Sequence, residues 1–117
     1  MNESDMSRLK KMVTSKKKSI RDAAKILSDV PEDKVFYVRN GHILRNLRDL
    51  VKELETMDFQ TFHHHVNPEK NDFANWINDV IGDKTLANEI RKLKTRRSIA
   101  RHVTRRIKQL EKELKRE

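Results

Sequence analysis

Residues 59–81 read FQTFHHHVNPEKNDFANWINDVI, and this stretch, from Phe59 to Ile81, decides the fold. It holds three of the four phenylalanines, the single tryptophan and three of the five histidines, so it is expected to form the core. Asn67-Pro68 is the sequence signal for a helix start. Asn accepts from the free backbone N–H groups of a first turn, and Pro at the first helical position gives up no hydrogen bond. The spacing of Phe73, Ala74, Trp76, Ile77, Val80 and Ile81 predicts a helix from Pro68 to about Ile81 with one buried face. Gly82, free to take a positive φ, ends it. Met57, Phe59 and Phe62 lie upstream of the cap and are expected to pack back on that face.

Phe62, His65-Val66-Asn67, Asn71-Asp72-Phe73-Ala74 and Trp76-Ile77 form the pattern F-x-x-H-V-N-x-x-x-N-D-F-A-x-W-I. It resembles the signature of a family of small archaeal and bacterial domains of unknown function, extending weakly from Phe36 through Gly41, Leu44 and Leu47 to Met57. The resemblance covers about half of the chain. It implies a shared helical domain and no catalytic residue, and it leaves the flanks as the place to look for this protein's own task.

Outward from the aromatic stretch, Val35-Phe36-Tyr37-Val38, Asn40-Gly41 and His42-Ile43-Leu44 predict a hairpin closed by a type I′ turn. A two-stranded ribbon is marginal alone, so it is expected to lie on helices. Leu47, Leu50, Val51 and Leu54 return to the helical period, and that helix leads into the aromatic stretch. Nearer the N-terminus, Met6, Leu9, Met12 and Val13 have the spacing of an amphipathic helix. Ser19 with Asp22 gives a cap-like start to another, bearing Ile20, Ala23, Ala24 and Leu27. Beyond Gly82, Asp83 is expected to cap a helix carrying Leu86, Ala87, Ile90 and Leu93, with Thr95 and Ser98 marking a kink or a fresh cap. The last helix runs to about Lys115 with Ile99, Val103, Ile107, Leu110 and Leu114 on one stripe.

The expected fold class is therefore mainly α. It is a single helical domain of five or six helices with one small β-hairpin and a long basic C-terminal helix. Residues 1–30 form a basic helical extension, 31–93 the core domain with the hairpin, and 94–117 the basic amphipathic helix. Charge follows the same division: +4 over residues 1–30, −4 over 31–90 and +9 over 91–117. A mildly acidic centre between two basic flanks points to a polyanionic partner held by the flanks.

On a helical wheel Lys94, Arg97, Arg101, Arg105, Lys108, Lys112 and Lys115 cluster opposite the apolar stripe, over about 32 Å of helix. Such a row fits a nucleic-acid backbone, and it also fits the wet face of a docked helix. Sign purity favours the first, because Lys94 to Gln109 contains no acid whereas an ordinary solvated face mixes Glu with Lys. Lys94, Arg97, Arg101, Arg105, Lys108 and Lys112 are the expected nucleic-acid contacts, with Lys16, Lys17 and Lys18 as a second set that could equally be a solvated helix face or a frayed tail. The partner expected is DNA, in an architectural role, or structured RNA such as that of the ribosome. A homodimer or partner helix on the 99–114 stripe is the alternative.

Other chemistries find little support in the residues. Adjacent His63, His64 and His65 do not converge on one ion, although His42, Asp72 or Asp79 could add a ligand; a core or cap role is expected, with His65 near the Asn67 cap and no metal. Asp72 is expected in a first helical turn, where its charge complements the macrodipole. No cysteine is present, which removes disulfides, thiolate catalysis and sulfur-ligated zinc. There is no Gly-rich phosphate loop and no activated nucleophile, so neither enzymatic activity nor a cofactor is expected. No apolar run reaches the ~20 residues of a membrane span, so the expected setting is cytoplasmic, with nucleoid or ribosome.

Overall fold

Side-chain caps set where five of the helices begin. The structure, a computed structural model, describes residues 18–115. Residues 18–27 are helical and constitute α1. Then come a 3-10 turn at Glu32–Lys34, β1 (Phe36–Tyr37), β2 (Ile43–Leu44), α2 (Leu47–Thr56), α3 (Phe59–His65), β3 (Val66–Asn67), β4 (Lys70–Asn71), α4 (Asp72–Trp76), α5 (Lys84–Arg91) and α6 (Arg96–Leu114). One turn of π-helix, Ile77–Ile81, continues α4. Asn46, Asp58, Asn71, Asp83 and Thr95 each accept the N–H three residues on and so cap α2 to α6. The architecture is mainly α, with six helices among the described residues and a long C-terminal helix, as the periodicity predicts.

α2 and α6 make the most extensive packing and run antiparallel. Arg48 at the start of α2 pairs with Glu111 near the end of α6 at 3.2 Å, while Arg96 at the start of α6 reaches the carbonyls of Leu54 and Glu55 at the end of α2. Between them Leu50, Leu54, Ile99 and Val103 are wholly buried. Each such side chain contributes about 1.5–3 kcal/mol relative to exposure. The same core takes in Ala23 and Leu27 of α1, Phe73 and Ile77, and Leu86 and Ile90 of α5. Trp76 packs there too, and its indole N–H donates to the carbonyl of Lys34 at 2.9 Å.

Five expectations need correction. First, the helix of the aromatic stretch starts at Asp72 rather than Pro68. Asn67 accepts from the N–H of Glu69 instead of capping, an Asx turn that folds Pro68-Glu69 into the tip of a second ribbon, β3 with β4. Asn71 is the cap, accepting from Ala74 at 2.9 Å, and Asp72 does lie in the first turn. Second, the hairpin is not closed by a type I′ turn, because Asn40 does not take a positive φ. Val38 donates to the carbonyl of His42, Gly41 to that of Val38, and Gly41 alone, at φ +95°, supplies the left-handed residue of a three-residue loop. Third, Phe59 is 76% exposed, whereas Met57 and Phe62 are buried as expected. Fourth, residue 18 is already helical, so Ser19 lies inside α1 and caps nothing. Fifth, Lys94 is not on a helix: α5 closes at Arg91, and Thr95 starts α6 afresh. The Met6–Val13 helix and residues Lys16 and Lys17 lie outside the described residues.

Polar groups hold the aromatic centre together. His65, buried at the end of α3, accepts the N–H of Arg39 on Nε2 at 3.0 Å. That leaves Nδ1 to carry the proton and donate to Asp72 at 2.9 Å, so the tautomer is fixed by geometry. Phe36, Phe73 and His65 meet with ring centroids 5.0–5.3 Å apart. Glu53, buried on α2, accepts from Asn40 and faces His42, tying the hairpin tip to the helix. Among the described residues no buried side-chain polar atom lacks a partner, and no helix is long and apolar enough to cross a membrane.

Candidate nucleic-acid interface

α6 is nineteen residues long and uses its basic side chains in two ways. Arg96 and Arg106 serve the fold. The Arg96 guanidinium caps the end of α2, donating to the Leu54 and Glu55 carbonyls at 2.6 and 2.7 Å, where a cation complements the negative end of the helix. Arg106 donates to Asp83, whose carboxylate is buried and also caps α5. His102, on the same flank of α6, pairs with Glu89.

Arg97, Arg101, Arg105, Lys108 and Lys112 are exposed, and none of their side chains makes a hydrogen bond or ion pair with another described residue. They recur at three- and four-residue steps, which puts them along one side of the helix over about 22 Å, two thirds of a duplex turn. The row is shorter than the sequence predicts because Lys94 precedes the Thr95 cap and Lys115 is the C-cap.

An open hollow of about 700 Å³ runs along this side between α2 and α6. Arg97, Arg101, Arg105 and Lys108 line it on the α6 side; Leu54 and Glu55 close it on the α2 side, and Glu55 is its one acid. Ala100 and Thr104, both small, also line it. Nearby Glu111 is already engaged by Arg48.

The remaining expected contacts scatter. Lys18 is exposed on α1, and Lys94 lines a separate hollow beside β3 and β4. Ile99, Val103, Ile107 and Leu110, the stripe expected to pair with a partner helix, are buried in this chain's own core. The histidine run divides: His65 is internal, while His63 and His64 are exposed on α3. Among the described residues no three His, Asp or Glu side chains are grouped as metal ligands.

Sequence reasoning missed the difference between Arg105 and Arg106, since both are basic and adjacent. The wheel carried a usable signal: Arg106 lies next to the apolar stripe, toward α1 and α5, while Arg105 lies opposite it. No family model, no curated protein and no solved structure matches the chain.

Proposed function

We propose that this protein binds nucleic acid with little sequence preference, laying the free cationic side of α6 along a phosphate backbone. The observation that carries the reading is the division of labour on that helix. A folding domain that needed charge only for packing would pair its arginines, as it does Arg96 and Arg106; instead Arg97, Arg101, Arg105, Lys108 and Lys112 stand on one side of α6 with no side-chain partner among the described residues. Guanidinium groups also suit the geometry of phosphate, which they grip through two N–H groups at once.

Cations spaced along one side of the helix suit successive phosphates, and contacts to phosphate position a backbone without carrying sequence information. Duplex DNA in an architectural role and structured RNA both offer the required charge density. The resemblance of the aromatic stretch to small domains of unknown function fits a scaffold whose task lies in its basic helix.

The experiment is fluorescence anisotropy with labelled duplex DNA, duplex RNA and a structured RNA of mixed sequence, over a salt series. Binding to at least one, indifferent to base sequence and weakening steeply with salt, supports the proposal. Binding to none of them at low salt contradicts it.

A further inference from the structure

Phe59 is the most exposed large hydrophobic side chain among the described residues. Asp58 caps α3 by accepting from Thr61, which sets the phase of the helix: Thr61, Phe62 and His65 turn inward, and Phe59 and His63 turn out together one helical turn apart. Their rings are stacked, with centroids 5.6 Å apart and planes within 13°. An exposed aromatic ring is the kind of surface on which an unpaired base stacks.

The surroundings carry the matching charge. Phe59, His63 and Asn67 border an open hollow of about 680 Å³ together with Arg39 and Lys70. His63, Asn67 and Lys70 also line the adjoining hollow of about 460 Å³, whose far side is Arg91 and Lys94. The side chains of Arg39, Arg91 and Lys94 have no hydrogen-bonding or ion-pairing partner among the described residues, although Asp58 lies near enough to Arg39 to feel its charge. Lys70 is held by Asp72, and Glu69 is the acid on the rim. Loss of solvation, more than the nearby charges of Lys70 and Arg39, holds the His64 imidazole below its ordinary range.

We infer that the Phe59–His63 pair is a stacking platform for an unpaired base of a single-stranded nucleic acid, with Arg39 and Lys94 holding the phosphates to either side. This rests on the nucleic-acid reading of α6 and adds to it. Lys94 lies three residues before Arg97, so their Cα atoms are within about 11 Å. A strand that reaches Lys94 from the platform is therefore close to the first cation of the α6 row, although the two hollows are separate. Such a layout would suit a single strand leaving a duplex, or a loop at the end of a stem.

The test compares the wild type with Phe59→Ala and Phe59→Trp on a labelled oligouridine and on a blunt duplex. Phe59 is at the surface, so far-ultraviolet circular dichroism and urea midpoints of both variants should match the wild type. Phe59→Ala is expected to weaken oligouridine binding about 5- to 100-fold and leave the blunt duplex unchanged, while Phe59→Trp keeps the affinity and is quenched on binding. Equal oligouridine affinity for wild type and Phe59→Ala overturns the platform yet leaves the α6 proposal standing. Wild type that binds neither probe overturns the platform, and overturns the α6 proposal too if duplex RNA and the structured RNA are also left unbound. A self-association lost in Phe59→Ala, with nucleic-acid binding intact, assigns the pair to a protein contact and overturns the platform as well.

Discussion

Nε of Arg106 lies 2.7 Å from Oδ2 of Asp83, a carboxylate that is 4% exposed, while the guanidinium of Arg105, one residue earlier, is exposed and has no ion-pair partner among the described residues. Adjacent arginines on one helix thus do opposite things. Removing Arg106 leaves a buried charge without its partner, whereas removing Arg105 unpairs no described residue. Arg106→Ala is expected to lower stability by about 2–3 kcal/mol, and Arg105→Ala by less than about 0.5 kcal/mol. Denaturant midpoints measure both; equal losses would show that the two arginines are interchangeable.

His65 bridges the hairpin loop and α4 through opposite ring nitrogens. His65→Leu fills the space yet orphans the Arg39 N–H and removes a donor from Asp72. A loss of about 2–3 kcal/mol is expected, with altered near-ultraviolet circular dichroism from the neighbouring Trp76 site. His63→Leu, on the exposed side of the same helix, should leave stability within about 0.5 kcal/mol. Comparable losses for the two would place the stabilising contact elsewhere.

Acid should loosen this same site. Burial alone would raise the Asp72 carboxyl, but hydrogen bonds from His65 and Lys70 outweigh it and hold the group below the ordinary carboxylate range. The folded state therefore prefers the ionised form more than the unfolded chain does. That preference contributes stability above the unfolded value of 3.8, and it is lost as pH falls through the lower folded value. Asp58 behaves alike, because the Thr61 N–H and hydroxyl stabilise its charge. Urea midpoints should fall as pH drops below about 4, and Asp72→Asn should flatten that decline; an unchanged acid limb in the variant would remove Asp72 from the account.

Much of the architecture was legible because it depends on local chemistry. Asp83 and Thr95 cap the helices they announce, Gly82 takes its positive φ, and the stripes on α2 and α6 face each other. The misplaced helix start arose from two asparagines with equal local claims. Asn67-Pro68 can open a helix or make a turn, and only the pairing of Val66 with Asn71 across the ribbon decides for the turn. Phe59 misled for a related reason: hydrophobicity argues for burial, but the Asp58 cap fixes a phase that turns the ring outward. For the candidate site, the sign and spacing of Arg97, Arg101 and Arg105 were readable. Which arginines fold the chain was not, since the partners of Arg96 and Arg106 lie 42 and 23 residues away.

The salt dependence of binding to duplex DNA, for the wild type and for Arg97→Ala/Arg101→Ala/Arg105→Ala, tests the central claim most directly. Five phosphate contacts along α6 give a slope of log affinity against log salt near −4.5, and losing three brings it to roughly −2 with weaker binding to every sequence alike. Identical slopes for the two proteins would contradict the account, because the charges that release counterions would then lie somewhere other than the free side of α6.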